Sequence, residues 1–170
     1  MSPAEFSRLL RRMDEVTAVR TAAEYTEQFL HLLPPNETLP RKAIQAVKEW
    51  AGAKEWQQKR LVEKMQPDFE RLYSESPVEL WNAPWEEPWH AVWAAAWTCI
   101  WAAALAVQRF GTDSKDSSYN AVRYASEAAE AAGLPDMLTL RKPMLRSKGI
   151  GAASTVQATE ERFWRKLGEP

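Results

Sequence analysis

The chain has 170 residues, about the length of one domain, and a chain this long buries enough surface to form a core without disulfides. Its 22 basic and 23 acidic side chains give a net charge of −1. This argues against a general nucleic-acid-binding protein, because such proteins are strongly basic. The 45% hydrophobic and 26% charged fractions argue against wholesale disorder. A single cysteine, and an N-terminus (MSPAEFSRLL) with no basic patch before an apolar run, predict a cytoplasmic protein without a secretory signal.

Helix signals dominate the first 76 residues. Capping boxes at 2–5 and 21–24 each precede apolar residues at helical spacing, and this pattern leaves open whether 3–33 forms one helix or two. A further helix is predicted to begin at Pro40 and to end near Gly52. The charged stretch after it predicts a mostly solvated helix that is interrupted at Pro67.

In the central segment, tryptophan recurs every four residues, at Trp81, Trp85, Trp89, Trp93, Trp97 and Trp101. A step of four residues turns about 400° around a helix, so the last four rings spread over about 120° of its surface. That width is typical of a buried stripe, and the residues between the rings are mostly alanine. The sequence predicts a central helix from Pro88 to residue 110, ended by Gly111.

The segment 89–107 is also long enough to cross a membrane, and His90 and Thr98 are its only clearly polar residues. However, alanine is barely apolar and tryptophan prefers the membrane interface to the bilayer centre. We therefore expect a buried core helix and no membrane association.

Beyond this segment, a helix is predicted from Asp116 to Ala132 and closed by Gly133, followed by an irregular connection over 134–153 and a C-terminal helix over 154–168. The complete pattern predicts an all-α fold. We expect a single-domain helical bundle over 1–170 around the buried Trp/Ala-rich helix.

Three of the tryptophans are candidates for binding. Trp81, Trp85 and Trp89 lie in the acidic, proline-broken stretch SPVELWNAPWEEPWH, and an exposed tryptophan is a frequent hot spot of protein interfaces. For these three, an exposed binding role and a role in the core both stay open. The later tryptophans of the series, from Trp93 onwards, are predicted to fill the core.

Glu86, Glu87 and His90 lie at the start of the long helix, and the spacing of Glu86 and His90 places them on one helical face. Two carboxylates and an imidazole are able to support acid–base chemistry or to bind a metal. The simpler interpretation is that the acids stabilise the positive end of a helix and that His90 makes a local hydrogen bond. We therefore predict no catalytic residue, no metal and no cofactor, with Cys99 as a buried packing group.

Charge is unevenly distributed along the chain. Residues 77–133 carry 3 basic and 7 acidic side chains, whereas residues 134–170 carry 7 and 4. The run RKPMLRSK contains Arg141, Lys142 and Arg146 without an acid among them. These cations either cover the acidic central segment or contact an acidic partner.

The stretch LPRKAIQAVKEWAG at 39–52, followed by the Ala-rich segments WHAVWAAAWTCIWAAALAV and AVRYASEAAEAAG, resembles helical immunity proteins of bacterial polymorphic-toxin systems. The resemblance covers about half of the chain. It implies a small cytoplasmic protein that neutralises a cognate toxin by binding it, without catalysis.

Two functional hypotheses follow. The first is a non-catalytic, immunity- or antitoxin-like module that occludes one protein partner through its tryptophans and charged residues. The alternative is a helical small-molecule-binding protein or enzyme with a Trp-lined pocket, in which Glu86, Glu87, His90 and Tyr119 supply the polar groups.

Overall fold

The structure, a computed structural model, describes residues 3–77 and 85–134. These ranges contain six α-helices, α1 (Pro3–Arg12), α2 (Glu15–Glu27), α3 (Leu39–Gly52), α4 (Glu55–Ser74), α5 (Pro88–Val107) and α6 (Gly111–Ala131), and a short 3₁₀ turn at Leu30–Leu32 lies between α2 and α3. No strand occurs in the described ranges, which confirms the all-α prediction. The predicted C-terminal helix 154–168, and all of the predicted connection except Leu134, lie outside them.

The N-terminal segment forms two helices because Asp14 caps the second one. Its carboxylate accepts hydrogen bonds from the Thr17 amide at 2.8 Å and from the Thr17 hydroxyl at 2.9 Å. The predicted helix start at Thr21 is wrong, since Thr21 lies inside α2 and its hydroxyl donates to the Thr17 carbonyl.

The prediction for α3 is confirmed at both ends, with Pro40 in the first turn and Gly52 as the last residue. The predicted interruption at Pro67 is wrong, because α4 continues through this proline. Pro67 is exposed, so water can satisfy the carbonyl that loses its intrahelical partner there. In α4 only Met65 and Leu72 are buried, as expected for a mostly solvated helix.

The long helix α5 begins at the predicted Pro88 and is the central element of the bundle. Most of its residues are buried, and it contacts α2, α3, α4 and α6. Its length and apolar composition meet the requirement for a membrane span, and 72% of its most apolar window is buried inside the protein. Packing in the helical core therefore accounts for its apolar composition.

The turn between α5 and α6 differs from the prediction. Gly111 does not end α5; it is the first residue of α6, which therefore starts five residues before the predicted Asp116. The left-handed residue after α5 is Arg109, with a φ of 66°. The end of the flexible Glu15 side chain lies beside the place that a Cβ of residue 111 would take, so a larger residue there would have to displace that carboxylate. Gly133, with a φ of 69°, follows α6 as predicted.

The helices share one hydrophobic cluster, to which each of the six contributes. Small residues line the contact between α5 and α6, and the Ser114 hydroxyl of α6 donates to the Ala102 carbonyl of α5 at 2.8 Å. Such a bond requires the two backbones to approach closely. The described helices therefore form a bundle around α5, and α4 covers its tryptophan side.

Candidate functional site

The structure brings five of the predicted site residues together at the N-terminal end of α5. Trp85, Glu86 and Glu87 directly precede the helix, and Trp89 and His90 lie in its first turn. The four other predicted site residues, Trp81, Arg141, Lys142 and Arg146, lie outside the described residues.

Trp85 is half-buried and its side chain is held in one orientation by α6. Its indole N–H donates to a carboxylate oxygen of Glu127 at 2.7 Å. Its ring also meets the ring of Tyr124 edge-on, with centroids 5.6 Å apart, and the Arg123 guanidinium lies 5.2 Å from the Tyr124 centroid. The indole is therefore fixed in place while part of its surface stays accessible.

Acidic groups surround this indole. Glu86 and Glu87 are exposed, Trp89 is half-buried, and Glu127 carries the carboxylate that holds Trp85. We call this region the acidic–aromatic surface and define it by Trp85, Glu86, Glu87, Trp89, Tyr124 and Glu127. Its three carboxylates outnumber Arg123, the cation that the structure places over Tyr124, so these described residues present a negative potential to a partner.

His90 does not share a face with Glu86, because the helix begins at Pro88 and Glu86 precedes it. The imidazole is buried, with its centroid 4.3 Å from that of Trp89, and its Nδ1 has no hydrogen-bond partner among the described residues. Residues 3–77 and 85–134 also contain no group of three potential metal-ligating His, Cys, Asp or Glu side chains.

The tryptophans further along α5 pack against α4. Trp93 is only 2% exposed, and its indole N–H donates to the Leu72 carbonyl at 2.7 Å. Trp97 and Trp101 stack with Phe69, with centroids 4.9 and 5.9 Å away. The predicted core role is confirmed for Trp93 and is wrong for Trp101, which is 40% exposed.

Sequence reasoning missed Phe69 as the partner of these rings. The available signal was its spacing, since Met65, Phe69 and Tyr73 recur every four residues and so share one side of α4. Nothing in the spacing indicated that this side would meet the tryptophans.

Cys99 is fully buried in α5, where its sulfur lies 3.9 Å from the Thr26 hydroxyl. Burial raises the pKa of this thiol to about 12, and the Thr26 contact opposes that shift only in part. A thiol with such a pKa stays protonated at neutral pH and is a poor nucleophile, as the sequence predicted.

No protein-family model, curated protein or solved structure matches this chain. The resemblance of 39–52 and the Ala-rich helices to immunity proteins therefore stays a prediction.

Proposed function

We propose that this chain is a non-catalytic protein-binding module, like an immunity protein or antitoxin, that neutralises one protein partner by occluding its surface. The observation that carries the proposal is the half-exposed Trp85, fixed by Glu127 and flanked by the exposed Glu86 and Glu87. Tryptophan is among the residues most often found at the energetic centre of protein interfaces.

The fixed orientation of Trp85 favours binding for an entropic reason. A side chain that is already held by a hydrogen bond and by Tyr124 loses little rotamer freedom when a partner covers it. Ordering a free side chain costs about 0.5–1.5 kcal/mol on association, and this cost is reduced for Trp85.

The charge of the acidic–aromatic surface indicates the chemistry of the partner. Exposed Glu86 and Glu87 attract a basic surface during diffusional encounter and disfavour acidic partners. We therefore propose a protein partner with a basic patch beside an apolar pocket that receives Trp85. Trp81 belongs to the same proposed contact, and Arg141, Lys142 and Arg146 are proposed as a second, basic contact.

The test is affinity capture of the tagged full chain from its native cells, followed by measurement of binding to the captured protein in purified form. The wild type is compared with Trp85→Ala and with Trp56→Ala, the matched control. Trp56 lies on α4, is 75% exposed and is not part of the acidic–aromatic surface. We expect Trp85→Ala to weaken binding by about 2 kcal/mol or more, roughly thirtyfold, and Trp56→Ala to leave it unchanged.

The charge component is tested with the double variant Glu86→Gln/Glu87→Gln. Its association rate with the partner should fall and should depend less on salt, while its dissociation rate changes little. Failure to capture any stoichiometric partner from cells that express the chain would overturn the proposal. Equal losses in Trp85→Ala and Trp56→Ala would also overturn it.

A further inference from the structure

A cleft of about 670 Å³ lies near the C-terminal end of α5, at the opposite end of this helix from the acidic–aromatic surface. The N-terminus of α2, the turn between α3 and α4, and the residues that end α5 form its walls. Ligand-binding clefts usually enclose about 300–1,000 Å³, so the size suits a small organic molecule. None of the tryptophans of α5 lines it.

One part of the cleft wall is apolar. Val16 from α2, Ala51 from α3, and Ala106 and Val107 from α5 contribute to it. Side chains of this size present a shallow hydrocarbon surface. Such a wall favours a ligand with a short aliphatic group, since burial of that group is favourable by about 0.8 kcal/mol per methylene.

The polar groups of the cleft carry both charges. Asp14, Glu15 and Glu55 are its acidic residues and Arg109 is basic; Asp14, Glu55 and Arg109 are exposed, and Glu15 is half-buried. The Asp14 carboxylate already accepts two hydrogen bonds from Thr17. Among the residues that the structure describes, Arg109 has no ion-pair partner. Its guanidinium is therefore available to an anionic group of a ligand.

Arg109 also has an unusual backbone. It adopts a φ of 66°, a left-handed conformation that costs a residue with a side chain about 1 kcal/mol or more. Glycine or asparagine would be the ordinary choice at this position. Among the residues that the structure describes, Arg109 is the only cation of the cleft wall, and it stands at the end of α5 despite that cost.

We propose that this cleft binds an α-amino acid with an aliphatic side chain. The ligand carboxylate pairs with Arg109, its ammonium group lies among the three carboxylates, and its side chain packs on Val16, Ala106 and Val107. A simple anion would meet three carboxylates, and a simple cation would meet Arg109, so a molecule with both charges fits the wall best. Among the described residues, no group of three potential metal-ligating side chains offers a metal site in the cleft instead.

The test uses isothermal titration of the full chain with three probes of similar shape. These are L-leucine, leucinamide, which lacks the carboxylate, and 4-methylpentanoate, which lacks the ammonium group. We expect leucine to bind at millimolar or lower concentration and the other two to bind about tenfold or more weakly, because each loses one charge-assisted contact. Leucine should also raise the melting temperature by mass action.

The matched variants are Arg109→Asn and Arg123→Gln. Asparagine tolerates the left-handed backbone, so Arg109→Asn removes the guanidinium while it keeps the turn. Arg123 is an exposed cation on α6 that does not line the cleft. Leucine affinity should fall about tenfold or more in Arg109→Asn and stay unchanged in Arg123→Gln.

Three results would overturn the proposal: no leucine binding at about 10 mM, equal affinity for all three probes, or full affinity in Arg109→Asn. Each of these results is independent of partner binding at the acidic–aromatic surface, because that surface and the cleft share no residue.

Discussion

The two sides of α5 differ in the size of their side chains. Toward α2 and α6 the helix presents small residues, among them Ala95, Cys99 and Ala102, and the backbones come close enough for Ser114 to bond the Ala102 carbonyl. Toward α4 it presents Trp93 and the rings that follow. Small side chains set a short spacing on one side, and large rings fill a wider gap on the other.

The two sides also differ in how completely they are buried. Ala95 and Cys99 are inaccessible to solvent, whereas Trp101 is 40% exposed because α4 covers the tryptophan side only in part. On the tryptophan side, burial is concentrated at Trp93, whose N–H is bonded to Leu72. Stability should therefore depend on a single ring on the α4 side and on tight packing throughout the other side.

The largest expected effect is that of Trp93→Ala. The change removes a buried ring and its hydrogen bond to Leu72, and leaves a cavity between α4 and α5. We expect the free energy of unfolding to fall by about 3–5 kcal/mol, measured by guanidinium denaturation. Trp101→Ala is the matched control and should cost clearly less, since its ring is already 40% exposed. Equal losses of unfolding free energy in the two variants would contradict the expectation that Trp93 contributes most of the stability on this side.

Ala95→Leu tests the opposite side of the helix. Ala95 is fully buried, and the three added carbon atoms would have to push neighbouring helices apart. We expect a loss of about 1–3 kcal/mol, seen as a lower melting temperature. The control is Ala131→Leu at the exposed end of α6, which should change stability by less than about 0.5 kcal/mol. A neutral Ala95→Leu would show that this side is not tightly packed.

The difference between the two sides also explains how far the sequence could predict the fold. Proline at 88 and the four-residue spacing of tryptophan placed α5 and its aromatic stripe. The spacing identifies a face of a helix but not how far a neighbour covers it, so the exposure of Trp101 was missed. Proline inside a solvated helix is tolerated, and for this reason the predicted break at Pro67 did not appear.

The end of α5 shows a second limit. Local preference assigns the left-handed position to Gly111, whereas in the structure Gly111 begins α6 and Arg109 adopts the left-handed conformation. The candidate site was predictable where its residues are adjacent in sequence, as with Trp85, Glu86 and Glu87. Tyr124 and Glu127 come from α6, about forty residues away, and helical periodicity carries no information on that pairing.

The smallest effect concerns Cys99 on the small-residue side and appears only at alkaline pH. Burial raises the pKa of its thiol from the ordinary 9.0 to about 12, so the folded chain holds the thiol proton more tightly than the unfolded chain. The resulting stability is fully present below about pH 9 and is lost as the pH rises toward 12. Relative to Cys99→Ala, which lacks the group, the wild type should lose about 1 kcal/mol between pH 7 and pH 10. Urea denaturation at both pH values measures this, and the variant cancels the contributions of tyrosine and lysine. A pH-independent difference between the two proteins would mean that the thiol ionises as readily in the folded chain as in the unfolded one. That result would contradict tight, water-excluding packing around Cys99.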